Sequence, residues 1–562
     1  MSAPHGRAQE GRMVLAKPDD KLPRWIPYAL VAAALGFLSI FFLAAPIQRV
    51  LTVIPDDSAY YFKIAANAGA GRGLTFDGIN RTNGFQPLWL YLLVPLYGTI
   101  HRSPETMYRI VLILQALLLA GAALLLNAAL ARFVSRRAAL LGLVLYVFLV
   151  FVPAANGMES AILVLFLVTA FSVGWKARVF DGGGPAREFL FGMLLGLVVL
   201  SRLDMVFVPV AVIAAGLAEA LFAPEKRRTL LARSILILTG TVLVVAPYLA
   251  YNRLSFGDIM PINGMLKSSF PHPSPSGFAL RALGKKGWVS LLLCAAYLVW
   301  FASRSLAAGR RGRAPAGPDA RRYGRAAMAV MACAILMHFV HTVLFMKWAV
   351  FSWHYIPYAL IGAVIVCEPA DRLKWEEGGR RLRVLYWILV AVIVAGGSAA
   401  VARNASQRLD RNWRPVAYAA AVWARENTPA DAVFGMKDAG DFGYFSERSV
   451  INLDGVVNNL EYQAALRERS LAAYLAIHRV GYIVQHAFWD RPDILTGSYD
   501  SFSMSYRSRL YETDSDPIVL RKTDEVYRSQ PYFDGPYETV FLIWKMGYDA
   551  KGARRGRAGS PR

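Results

Sequence analysis

Charge is scarce in this chain. Only 18% of its 562 residues are Asp, Glu, Lys or Arg, while 56% are hydrophobic. That balance excludes an ordinary soluble protein and predicts several membrane spans. Cysteine is scarcer still: Cys294, Cys333 and Cys367 lie in or beside hydrophobic runs, which argues against a disulfide framework and against a metal site. No internal repeat is present, and the two halves lack the mutual likeness of many transporter halves. Acidic residues number 39 against 62 basic ones, for a net charge of +23. The basic residues fall in short tracts between apolar runs, as membrane topology requires. The partner that this pattern predicts is a lipid bilayer and not nucleic acid.

Trp25 to Ile47 is 23 residues without a charge. It is too long for a signal-peptide core and has no clear small-residue cleavage site, so it is expected to stay as an anchor. Residues 1–24 carry five Lys/Arg and are assigned to the cytoplasm. Apolar segments at about 107–131, 139–153, 161–175, 189–200, 205–222, 232–251, 287–303, 326–346, 356–370 and 384–401 bring the expectation to eleven spans. The six cytoplasmic segments then hold 27 Lys/Arg, against 13 in the outer loops before residue 402. Residues 25–402 are therefore read as a transmembrane domain, with a first outer loop over 48–104. In that loop Pro87 to Ile100 is too short to cross and is read as a helix along the interface. Residues 403–549 alternate helical and strand patterns, predicting an α/β domain on the outer side. The Gly/Arg-rich 550–562 is expected to be a disordered basic tail.

The first outer loop is the centre of the chain. Pro55-Asp56-Asp57 marks a helix start, and Asp57, Tyr60, Tyr61 and Ile64 recur at helical spacing. Adjacent helical side chains point about 100° apart, so Asp56 and Asp57 cannot both face one substrate atom. One caps the helix and the other faces a site, or both serve only the helix N-terminus. The topology also gathers Asn83, Gln86, Glu159, Arg202, Asp204, Lys267, Lys347 and His354 at the outer membrane surface. Basic residues are disfavoured there unless an anion meets them. The anion is either a neighbouring carboxylate, such as Asp204 or Glu159 for Arg202, or a lipid phosphate. A carboxylate base beside such cations, over an apolar groove, suits transfer from a lipid phosphate to a hydroxyl.

Asp56-Asp57-Ser58-Ala59-Tyr60-Tyr61-Phe62-Lys63-Ile64-Ala65, then Gly71 to Phe76 and Asn83-Gly84-Phe85-Gln86-Pro87-Leu88-Trp89, resembles the first outer loop of GT-C membrane glycosyltransferases. In particular it is similar to that of bacterial enzymes related to the mycobacterial terminal arabinofuranosyltransferases. Gly157-Met158-Glu159, Leu200 to Asp204 and the pattern from Asp438 to Gly455 extend the resemblance over most of residues 25–490. It implies a polytopic α-helical GT-C-like protein of the bacterial inner membrane, with its C-terminal α/β domain outside. The implied donor is a polyprenyl-phosphate sugar and the implied acceptor a glycan or a lipid, with no metal or cofactor. Asp56 would be the general base and Asp57 its support. Arg202, Lys267, Lys347 and His354 would hold the donor phosphate. Tyr60, Asn83, Gln86, Trp89, Glu159 and Asp204 would contact substrate. Gln86 departs from the family, where His or Asn often precedes the proline, and this bears on the identity of the sugars. Two other readings are an oligosaccharide-transferring enzyme and a transporter or flippase of lipid-linked sugars. Carboxylates at span ends rather than at mid-membrane weigh against transport.

Overall fold

The computed structural model describes residues 22–176, 184–310, 320–348, 350–373, 379–486, 488 and 490–547. All eleven apolar segments are helical. Among the described residues, eight helical stretches are long and apolar enough to cross a membrane. Ser160–Lys176, Pro185–Ser201 and Ile356–Ile365 fall short of that length, so the expected count of eleven spans is met in helices but not in span-length ones. The chain is a multi-pass membrane protein. Pro104–Phe133 and the stretch Arg136–Ala154 form the interior of the bundle, while Gly379–Ala405 lies at its edge and buries Tyr386 and Val390. The basic tail and the N-terminal segment 1–21 lie outside the described residues.

The loop after the first span folds into three helices, Ile47–Leu51, Asp57–Gly69 and Pro87–Thr99. The last starts on a proline, whose missing N–H costs nothing at a helix N-terminus. It packs on Asp57–Gly69 as the short, non-spanning helix that its length predicted.

The C-terminal domain is built on β1 (Val433–Met436), β2 (Ser449–Asn452) and β3 (Val480–Gln485), which pair in parallel in the order β2-β1-β3. Two later strands, β4 (Glu525–Arg528) and β5 (Leu542–Lys545), complete the sheet, with β5 antiparallel to β3 and β4 antiparallel to β5. Burial of Phe434, Met436, Val450, Ile451, Ile483 and Val484 explains the unbroken apolar reading of the three parallel strands. Within this domain residues 460–477 form two helices, Leu460–Arg467 and Leu471–Ile477, with Arg469 at φ 53° between them.

Asp56 joins the two domains. Its side chain does not cap its own helix. Its two oxygens accept from the amides of Gly440 (2.9 Å) and Asp441 (2.7 Å), the start of the short helix Gly440–Phe445. A Cβ on Gly440 would stand 2.3 Å from the Asp56 carbonyl oxygen, so only glycine permits this approach. Arg414 reinforces the joint, donating to Asp441 Oδ2 (2.7 Å) and to the Leu51 carbonyl (2.8 Å). A second close approach occurs at Gly84, where a Cβ would meet the Val456 carbonyl oxygen at 2.0 Å. Thr82 Oγ1 donates to the Asn458 carbonyl beside it (2.9 Å).

Candidate active site

Between the first-loop helix, the 201–204 turn and the helix Ala320–Phe345 lies a cavity of about 890 Å³, within the size range of small-molecule sites. One end is polar and is lined by Asp57, Tyr60, Tyr61, Gln86, Glu159, Arg202, Asp204, Lys267 and His354. The other end is apolar, with Phe207, Leu336, Met337, Val340, Phe345 and Met346. Val340 is 54% exposed, so the apolar end opens on the outer surface of the bundle.

The carboxylates differ in what holds them. Asp57 is half-buried in the polar wall and makes no hydrogen bond with the described residues. Burial lifts its proton affinity above that of an ordinary aspartate and Asp454 adds to the rise, while Lys267 opposes it. Glu159 Oε2 accepts from Tyr61 (2.9 Å), and the Tyr61 oxygen in turn accepts from the Gln86 amide (3.1 Å). The Gln86 side chain accepts from Leu203 N (3.0 Å), tying the first loop to the 201–204 turn.

Arg202 is 2% exposed and closely held. Nη2 donates to Asp204 (2.9 Å), Nη1 to the Trp353 carbonyl (3.4 Å), and Nε lies 3.8 Å from Glu159. Asp204 Oδ2 also meets His338 Nε2 (3.0 Å), whose Nδ1 contacts Tyr358 Oη (2.8 Å). A carboxylate only accepts, so Nε2 donates to Asp204. Three described partners leave some of the five guanidinium N–H groups free for an anion. Lys267, by contrast, makes no ion pair with the described residues; its ammonium lies 5.9 Å from the centre of the Phe351 ring. His354 is held neutral, because burial, Arg202 and Lys267 all lower its proton affinity.

The architecture matches that of two solved structures. The oligosaccharyltransferase AglB from Archaeoglobus fulgidus, in complex with an inhibitory peptide and a dolichol-phosphate, is 14% identical; the match covers 88% of this chain and 75% of that one, with a TM-score of 0.50. ArnT from Cupriavidus metallidurans, bound to undecaprenyl phosphate, is 13% identical; the match covers 88% and 97%, with a TM-score of 0.51. The chain has the GT-C fold. A family described as a domain of unknown function (DUF8728) matches residues 403–534. No curated protein matches this sequence.

Within this GT-C fold several residues stand elsewhere than the sequence suggested. The orientations of Asp56 and Asp57 are reversed: Asp56 faces the C-terminal domain and Asp57 the cavity. Lys347 is directed away from the cavity, to Glu512 (2.9 Å) and the Arg509 carbonyl (2.8 Å), as a strut between domains. Asn83 is buried behind the wall, accepting from Ile262 N (3.0 Å) and donating to Asn252 (3.3 Å), and so steadies the segment that carries Lys267. Trp89 is fully buried and donates to the Gly157 carbonyl (3.0 Å), fixing the turn before Glu159. Neutral His354 offers hydrogen bonds there and no positive charge. Tyr60, Gln86, Glu159, Arg202, Asp204 and Lys267 do meet at the cavity. Sequence reasoning missed His338 and His341, which sit within an apolar span. An ionisable residue at such a depth is itself a signal of function. Among the described residues, no group of three or more His, Cys, Asp or Glu is placed to share a metal ion.

Proposed function

We propose that this protein is a membrane glycosyltransferase that moves a sugar from a polyprenyl-phosphate donor to a hydroxyl of an acceptor on the outer face of the membrane. One observation carries the reading: a carboxylate that no described residue hydrogen-bonds, Asp57, and an ammonium with no ion pair within 4 Å among the described residues, Lys267, line one cavity whose far end is apolar. The polyprenyl tail lies along Phe207, Leu336, Met337 and Val340, and the phosphate meets Lys267 with the free N–H groups of Arg202. The bound lipid phosphates in the AglB and ArnT structures support a donor of this class.

Asp57 takes the proton from the acceptor hydroxyl as its oxygen bonds to the anomeric carbon. The bond from that carbon to the phosphate oxygen breaks, and its electron pair leaves with the polyprenyl phosphate. Lys267 and Arg202 stabilise the charge that grows there. A single displacement inverts the anomeric centre. The raised proton affinity of Asp57 makes it a stronger base than a solvated aspartate. The resemblance of the first loop to arabinofuranosyltransferases makes a pentofuranose the first donor to test.

The test is reconstitution in proteoliposomes with a panel of polyprenyl-phosphate sugars, following both sugar transfer and the anomeric configuration of the product. Transfer with inversion is expected. Movement of intact donor across the bilayer without cleavage would replace this reading with a flippase.

A further inference from the structure

The carboxyl ends of β1, β2 and β3 carry a constellation that the transfer step leaves unused. Asp438 follows β1 with φ 52°, a left-handed conformation that costs a non-glycine residue strain and persists where its surroundings demand it. Its amide donates to Asp454 Oδ2 (3.0 Å). That same oxygen accepts from Asn452 (3.0 Å) and Tyr60 (3.3 Å), and Oδ1 accepts from Val456 N (2.9 Å), so Asp454 is committed to structure. The carboxylate of Asp438 is not committed. It makes no hydrogen bond with the described residues, and its side chain is 48% exposed.

The group that faces it is His486, at the end of β3. Nε2 stands 3.8 Å from Asp438 Oδ2. His486 is 6% exposed, and its ring is stacked between Trp413 (4.5 Å, 14°) and Phe541 (5.9 Å, 11°). Nδ1 is buried without a hydrogen-bond partner among the described residues. The 3.8 Å gap is too long for a hydrogen bond and suits one ligand oxygen that touches both groups.

The charge around this pair selects its ligand. Asp454, Asp57 and Asp534 place negative charge around Asp438 against the one ammonium of Lys437, a balance that disfavours a phosphate. The donor head therefore belongs with Lys267, and the Asp438 side takes a neutral molecule rich in hydroxyls. The two sides adjoin. Tyr60 lines the cavity beside Asp57, and its hydroxyl oxygen accepts from Ala439 N (3.1 Å), next to Asp438.

We propose that Asp438 and His486 form an acceptor subsite that grips one hydroxyl of a neutral glycan while another of its hydroxyls is presented to Asp57. The placement beside Asp57 rests on the transferase reading above.

The experiment uses the full chain in nanodiscs, titrated by saturation-transfer NMR with a panel of neutral trisaccharides of pentoses and hexoses, without donor. Asp438→Asn, Asp438→Gly and His486→Gln are compared with wild type. Asn and Gly both accept positive φ, so these variants keep the turn. At least one saccharide is expected to bind wild type and to lose about ten- to a hundredfold in affinity in both Asp438 variants, the value of a hydrogen bond to a charged group. Donor affinity and donor hydrolysis without acceptor should stay at wild-type levels. Asp57→Asn should lose transfer while still binding the saccharide. If wild type cleaves no donor at all, the transferase reading fails, yet saccharide binding and its loss in Asp438→Asn still decide the subsite. Absence of binding to every saccharide up to millimolar concentration overturns the proposal, as does unchanged affinity in both Asp438 variants.

Discussion

Replacing the two adjacent aspartates one at a time should produce opposite kinds of damage. Asp57→Asn removes a charge that no described residue bonds to, so the fold keeps its contacts and the melting temperature should hold. Loss of a general base lowers turnover by about 10²–10⁴-fold. Asp56→Asn acts on the joint between domains. The amide keeps one acceptor oxygen, but its NH₂ must face either the Gly440 or the Asp441 amide, donor against donor. One charge-assisted bond is lost, about 1.5–3 kcal/mol, and a buried donor is left unsatisfied, about 1–3 kcal/mol. Removing the repulsion between Asp56 and Asp441 offsets part of this, leaving a net loss of about 2–4 kcal/mol. For a C-terminal domain of this size that corresponds to a fall of about 5–15 °C in its melting temperature. Thermal unfolding in detergent, measured beside single-turnover transfer per folded molecule, separates the two. A full transfer rate in Asp57→Asn would refute the assignment of the base. Abolished transfer in Asp56→Asn at an unchanged melting temperature would refute the division of roles.

Lys267→Met should weaken binding of a polyprenyl-phosphate donor by about ten- to a hundredfold at an unchanged melting temperature, whereas Arg202→Gln should lower both, because it also frees Glu159 and Asp204; equal donor affinity in Lys267→Met and wild type would move the phosphate elsewhere. Burial, with Arg414 opposing it, lifts Asp441 to about 6, and Asp56 is raised too, so this pair's contribution to docking is full below about pH 4 and is lost as pH rises through about 6. Melting curves from pH 5 to 8 should slope downward in wild type and less so in Asp56→Asn; identical slopes would show that the pair does not govern docking. In a cysteine-free background, Asp431→Cys should react with an impermeant maleimide in intact cells and Arg228→Cys should not; the reverse pattern would invert the topology.

Much of the fold was legible because it rests on local pattern. Hydropathy located the eleven apolar helices, and the short apolar runs 432–434 and 450–453 pointed to the strands found at Val433–Met436 and Ser449–Asn452. What could not be read depends on distant partners. Nothing near Asp56 reveals that the helix it caps begins 384 residues later. Either aspartate could serve by local rules, and the tertiary contact decides between them. Trp89 has the look of an interfacial belt residue, and only the fold places the Gly157 carbonyl against its indole. The break at Arg469 has no glycine to announce it. Strands β4 and β5 carry mixed polarity and pair antiparallel after a long excursion, so no alternation near them points to β3.

The clasp between Asp56 and Asp441 also sets a clock on biosynthesis. The two residues are 385 apart, and a ribosome adding about 5–20 residues per second needs roughly 20–80 s to travel from one to the other. Every span after Ile26–Ala44 is synthesised in that interval, while the start of the Asp57 helix still lacks the amides that anchor it. A half-made chain therefore holds the greasy half of its cavity in the membrane before its carboxylate is set in place. On the transferase reading proposed above, nascent protein can meet donor lipid without a fixed base to consume it, and competence arrives only when the last domain has folded.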